Sequence, residues 1–252
     1  MVYCPVMDDL AGKRVLVTGA GRRVGAAIAQ HLGAAGMHVA VHYRSAAAGA
    51  EETCRRIVAA GGTAEAFQAD LSDQDACGTL IDRVVRCFGG LDALVASAAS
   101  FEATPLPSLT IDKMQAALQL NLLAPLALAQ RASAALRERR GSMVFITCTS
   151  RRSPYRDYTA YTVSKSALYQ LMRMLALELA PDVRVNAVAP GTVMLPEDMA
   201  EELLEQEVAR IPLRRAGEPE DVARAVAYLL AAPFVTGTEL VVDGGRTLSG
   251  DC

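Results

Sequence analysis

Short apolar runs alternate with segments of helical period along almost the whole chain. Residues 14–18 form a run of strand length, and the spacing of Ala27, Ile28 and Leu32 predicts a helix over 24–35. The same alternation predicts strands over 38–42, 64–70, 91–98, 143–149, 183–188 and 239–242. Helices are predicted over 46–60, 73–88, 111–137, 158–179 and 219–230. Pro125 falls inside the fourth of the six predicted helices, where its missing N–H predicts a bend. No internal repeat or low-complexity linker interrupts the pattern.

Strand, helix and strand repeated this regularly force parallel pairing with right-handed crossovers. The expected fold is α/β: one doubly wound Rossmann-type domain over 1–252, with a parallel sheet of about seven strands and helices on both faces. A closed barrel of alternating strands and helices also fits 252 residues. In the open sheet, ligands bind beyond the carboxyl ends of the strands, so the residues after each strand carry the functional reading.

Composition narrows the setting. With 52% hydrophobic and 21% charged residues the chain can fill a sizeable core, and a net charge of −3 offers no basic footprint for a nucleic acid. The longest uncharged stretch, 114–130, is interrupted by Gln115, Gln119, Asn121 and Pro125, and is expected to be a buried helix and not a membrane span. Residues 1–10 carry Asp8 and Asp9 without a cationic start, unlike a secretory signal. The six cysteines show neither CxxC nor metal-ligand spacing with the three histidines, so no metal is expected and the setting reads as reducing and cytoplasmic.

After the first strand stands Thr18-Gly19-Ala20-Gly21-Arg22-Arg23-Val24-Gly25. Glycines there let the backbone approach a pyrophosphate, which the following helix meets with free N–H groups and the positive end of its dipole. A tight turn with no ligand is the alternative. After the second strand, His42-Tyr43-Arg44-Ser45 holds no carboxylate to accept from an adenosine ribose 2′-OH. Arg44 and Ser45, joined by Arg22, instead suit a 2′-phosphate, which points to NADP(H) over NAD(H). Asp70, before Leu71, either accepts from an adenine amino group or caps the next helix with Ser72. Tyr161 and Lys165, four apart on a helix, share a face, and an ammonium beside a phenol is expected to lower the Tyr161 pKa toward neutrality.

These segments occur in order with Asn121, Ala189-Pro190-Gly191 and Val242-Asp243-Gly244-Gly245, and from Gly12 to Leu248 the chain resembles the short-chain dehydrogenase/reductase family. The resemblance implies that Tyr161 is the proton donor, that Lys165 holds the nicotinamide ribose, and that Asn121 supports a water relay behind Lys165. It also implies that Gly19, Arg23 and Gly25 line the pyrophosphate, that Pro190 and Gly191 pass the nicotinamide, and that a substrate lid lies around 192–215. Most members are tetramers built through two long helices, so a homotetramer acting on a small molecule is expected.

Three departures stand out. Cys148 replaces the usual serine thirteen residues before the tyrosine, and a thiol is the poorer donor; in a regular strand Ser150 would be the nearest hydroxyl of the same parity. Ala96-Ser97-Ala98 replaces the usual Asn-Asn-Ala. Arg23 stands where a glycine is usual. With residues 42–46, Phe101, the pair Tyr158 and Tyr161, and residues 190–199, the last departure resembles the pteridine reductase branch, dihydromonapterin/dihydrofolate reductase-like members included. That resemblance puts Phe101, Tyr158 and Met194 against the substrate; the branch usually has Asp where Cys148 stands. Met194, Leu195 and Met199 suit an apolar pocket wall, while Glu201, Glu202, Glu205 and Glu207 read as the solvated face of a short helix. The expected activity is NADPH-dependent reduction of a C=O or C=N bond, on a pterin-like ring or, alternatively, a 3-oxoacyl thioester or general ketone. A cofactor-binding sensor or scaffold with little turnover is the reading from another class.

Overall fold

The computed structural model describes residues 10–193 and 201–249. Its strands are β1 (Arg14–Val17), β2 (His38–Tyr43), β3 (Thr63–Gln68), β4 (Ala93–Ala96), β5 (Ser142–Ile146), β6 (Arg184–Pro190) and β7 (Glu239–Val242). They make one sheet in the order β3-β2-β1-β4-β5-β6-β7, every pair parallel, in agreement with the open-sheet expectation and against the barrel. The helices are α1 (Arg23–Ala34), α2 (Ala47–Ala59), α3 (Gln74–Phe88), α4 (Ile111–Leu118), α5 (Ala124–Glu138), α6 (Thr159–Leu179), α7 (Glu201–Ala209) and α8 (Pro219–Ala231).

Strand parity divides the core into two layers. Leu16, Leu94 and Phe145 pack with α3, α5 and α6 on one face, while Val15, Val17, Val95 and Val144 pack with α1 and α8 on the other. Central strands buried on both faces need the unbroken apolar runs that the sequence carries. At the sheet edge, β3 is less covered, with Thr63, Glu65 and Gln68 exposed and Phe67 its one buried residue. Ile28 and Leu32 of α1 are fully buried, each worth about 1.5–3 kcal/mol against exposure.

Three predicted elements change shape at the ligand end of the sheet. β4 ends at Ala96 and β5 at Ile146, short of the expected 98 and 149. Cys148 caps a single 3-10 turn, Thr149–Arg151, by accepting from the Ser150 amide at 3.4 Å. The long helix expected over 111–137 is divided into α4 and α5 just before Pro125 by a π-helical turn at Gln119–Leu123. Pro125 has no N–H to send to the Asn121 carbonyl four residues back, and the widened turn accommodates that loss while Asn121 is fully buried.

Candidate active site

The carboxyl ends of β1, β2 and β4 meet at the Gly-rich turn. Gly19 has φ +67°, a conformation that suits glycine, and its amide donates to His42 Nδ1 at 3.1 Å. His42 therefore carries its proton on Nε2, 3.1 Å from the Ala69 carbonyl, so one buried ring ties β2 both to the turn and to the segment after β3. Burial holds this imidazole down at about 4. A Cβ on Gly25 would come within 2.3 Å of the Gly19 carbonyl oxygen, which explains the second glycine by packing within the turn. Thr18 Oγ1 accepts from both Ser97 and Ala98 amides at 3.0 Å, so a threonine holds the segment whose usual amide side chains are missing.

Around this turn backbone amides and cationic side chains gather, a set that suits the pyrophosphate of a nicotinamide dinucleotide. No side chain caps α1, and Arg22, Arg44 and Ser45 beside it are exposed. Arg23 has φ 52°, the left-handed region in which its glycine counterpart would be at ease. Asp70 Oδ1 takes both the amide, at 3.0 Å, and the hydroxyl, at 2.7 Å, of Ser72, while α3 is capped by Asp73. Its link to Ser72 is thus a turn and not the helix cap; these bonds, more than nearby Arg44, hold its carboxyl below the usual range. Leu71 is buried in the core.

Across the sheet, β5 and α6 bring together Cys148, Tyr161 and Lys165. Lys165 is buried, its Nζ donates to the Ile146 carbonyl at 2.7 Å, and burial lowers its ammonium to about 8. Nζ lies 5.9 Å from the centre of the Tyr161 ring. The expected lowering of Tyr161 does not occur: burial first, then the charge and hydrogen bond of Cys148, raise its phenol well above the ordinary value. The ammonium is spent on a backbone carbonyl, and desolvation outweighs its pull. Asn121 does not touch Lys165. Its amide clamps Ser100, accepting from the amide at 2.9 Å and donating to the carbonyl at 3.2 Å, and donates to Ser164 Oγ at 3.0 Å.

Phe101 stacks on Tyr158 with centroids 4.4 Å apart and presents an edge to Tyr161 at 4.7 Å, yet is 57% exposed, so the three rings form one wall of the mouth. Pro190 ends β6 and receives Thr149 Oγ1 at 3.4 Å; Gly191 follows against Asp243, whose Cβ leaves no room for a side chain. Met194, Leu195 and Met199 lie outside the described residues. Glu205 is exposed and Glu207 pairs with Arg210 at 2.8 Å.

Four groups escape the sequence reading. Ser150, offered by strand parity, is fully buried with no partner for its hydroxyl, because the chain turns at 148. Its place beside Cys148 is taken by Tyr155, whose hydroxyl lies 3.6 Å from Cys148 Sγ and 3.0 Å from Thr149 Oγ1. The signal was present in a tyrosine at every third position, 155, 158 and 161. Ser164, His42 and Glu239 are the others. The Glu239 side chain on β7, 3% exposed, accepts from Thr147 Oγ1 at 2.8 Å and from Arg151, whose guanidinium covers Tyr169. This ion pair braces the turn that carries Thr149. Among the described residues no group of side chains could hold a metal ion, no helix is long and apolar enough to cross a membrane, and Cys54, Cys77, Cys87 and Cys148 are free thiols.

Residues 19–247 match the family profile described as Enoyl-(Acyl carrier protein) reductase. The chain is 40% identical to 3beta-hydroxysteroid dehydrogenase 1 of Eggerthella lenta, over 96% of each sequence. It is 34% identical to the 3-oxoacyl-[acyl-carrier-protein] reductase of Synechocystis, covering 96% of this chain and all of that one. The structure of a 7 alpha-hydroxysteroid dehydrogenase complexed with NADH and 7-oxo glycochenodeoxycholic acid superposes with a TM-score of 0.91 at 29% identity, over 97% of this chain and 98% of the other. A Gly-rich turn between β1 and α1, the Tyr161 and Lys165 pair on α6 and relatives matched over nearly their full length place this chain in the short-chain dehydrogenase/reductase family, as an oxidoreductase of keto and hydroxyl groups.

Proposed function

We propose that the protein reduces a ketone with NADPH, with Tyr161 as the proton donor. The observation that carries this reading is the protonated Tyr161 phenol held between Cys148 and the edge of Phe101, one helical turn before buried Lys165. A phenol held above its ordinary value is protonated at neutral pH, the form that donates to a developing alkoxide. When bound, the nicotinamide supplies the hydride. Gly19, Arg23 and Gly25 would hold its pyrophosphate, Arg22, Arg44 and Ser45 the 2′-phosphate, Asp70 and Leu71 the adenine end, and Pro190 and Gly191 the ring. Lys165 would hold the ribose, and Asn121, which binds Ser164 beside it, would order the water relay.

The relatives favour a ring ketone or hydroxysteroid, or a 3-oxoacyl thioester. A pterin is the second reading, favoured by the aromatic wall of Phe101 and Tyr158 and by Arg23. Exposed Val163, Met174 and Leu177 on α6 support assembly through that helix, in line with a homotetramer. NADPH oxidation is to be followed with 7-oxo glycochenodeoxycholic acid, an acetoacetyl thioester and dihydrobiopterin. Turnover of either ketone above the pterin supports the first reading, and the reverse order supports the second. Binding of NADPH without turnover of any would favour the sensor. Arg44→Glu is expected to weaken NADPH about 10- to 100-fold, as one charge-assisted phosphate contact is lost and repulsion added. Equal loss for NADH would remove the phosphate assignment.

A further inference from the structure

We propose that Tyr155 is a second catalytic hydroxyl, the donor that polarises the substrate carbonyl in place of Cys148; this rests on the ketone-reductase reading above. Cys148 has little left to give. Its sulfur accepts the Ser150 amide as the cap of the short turn and engages the Tyr161 phenol, and its S–H points at the Tyr155 oxygen, 3.6 Å away. Thiols are weak donors even when free.

The Tyr155 oxygen is placed to receive and to pass on. Thr149 Oγ1 lies 3.0 Å from it but 3.4 Å from its other acceptor, the Pro190 carbonyl, so the threonine proton is better spent on Tyr155. A hydroxyl oxygen has room for both Thr149 and Cys148 as donors, an arrangement that leaves the Tyr155 proton for a third partner. Donors feeding a hydroxyl also strengthen the bond it makes. Burial pushes this phenol above the ordinary tyrosine range, so it stays protonated at any working pH. Tyr155 and Tyr161 thus flank Cys148, one phenol delivering a proton to the carbonyl oxygen and the other hydrogen-bonding it without transfer. The bracing of the turn by Arg151 and Glu239 fixes Thr149, and through it the Tyr155 hydroxyl.

Tyr155→Phe keeps the ring and removes only the hydroxyl. With the best ketone of the panel, kcat is expected to fall about 10- to 100-fold while KM changes less than about threefold, because a donor to the developing charge acts mainly in the transition state. Cys148→Ser should raise kcat less than about threefold in the parent but more than about tenfold in Tyr155→Phe, since the serine then takes over an otherwise missing donor. An unchanged kcat in Tyr155→Phe, or an equal gain from Cys148→Ser in both backgrounds, overturns the proposal. Should Tyr155→Phe fail to fold by circular dichroism, a tenfold or greater gain from Cys148→Ser in the parent overturns it alone, and a gain below about threefold supports it. Tyr161→Phe separates the two levels of argument: if it retains activity the ketone-reductase reading fails, whereas activity lost there but kept in Tyr155→Phe removes only Tyr155.

Discussion

The two ends of the site are built from different materials. At β1, β2 and β4 the working surface is mostly backbone, held by Thr18 and by His42, each bonding more than one segment at once. At β5 and α6 the working groups are side chains that hold one another: Tyr155, Cys148, Tyr161, Asn121 and Ser164. The first construction absorbs substitution, since Ala96 and Ser97 can replace amide side chains where a neighbouring threonine takes their bonds. In the second, Cys148 meets the Ser150 amide, Tyr155 and Tyr161 together, so a change at that one position reaches all of them.

The largest test of this contrast is Tyr161→Phe, expected to cut the reduction rate about a thousandfold while leaving the transition temperature and NADPH binding near the parent's. A loss of binding on the same scale would mean that the two ends are one unit. His42 tests the backbone end. Its imidazole titrates at about 4 when folded against 6.5 when free, so the unfolded chain binds the proton first, and the contribution present above 6.5 is lost as pH falls through about 4. That loss is about 3 kcal/mol, read from chemical denaturation at several pH values, and His42→Gln should flatten the slope. The smallest effect concerns Lys165. With its ammonium at about 8 and Tyr161 protonated throughout, kcat/KM for reduction should be level below about 8 and drop about tenfold per pH unit above it. A fall beginning instead below 7 would assign control to another group.

Strand and helix order were legible because buried parallel strands demand unbroken apolar runs, and the glycine turn and the Tyr161 and Lys165 pair were legible as spacings. What stayed hidden depended on geometry that periodicity does not carry. Strand alternation selected Ser150 only because it presumed the strand continued past Ile146, where the chain turns instead. Pro125 suggested a local irregularity, but composition does not say that it takes the form of a widened turn holding Asn121. The direction of the Tyr161 shift was missed because a neighbour four residues away says nothing of what else the ammonium binds or how dry the site is. Substrate choice was equally hidden: the pterin-like motifs and the hydroxysteroid and 3-oxoacyl relatives point to different molecules through one set of strands.

The carboxylate of Glu239 sits on the final strand yet anchors residues nearly a hundred positions upstream. Both ends of the site therefore lean on the C-terminal segment: α8 covers Val15 and Val17 behind the Gly-rich turn, and β7 braces the turn at Thr149, so a chain cut before Pro219 would complete neither.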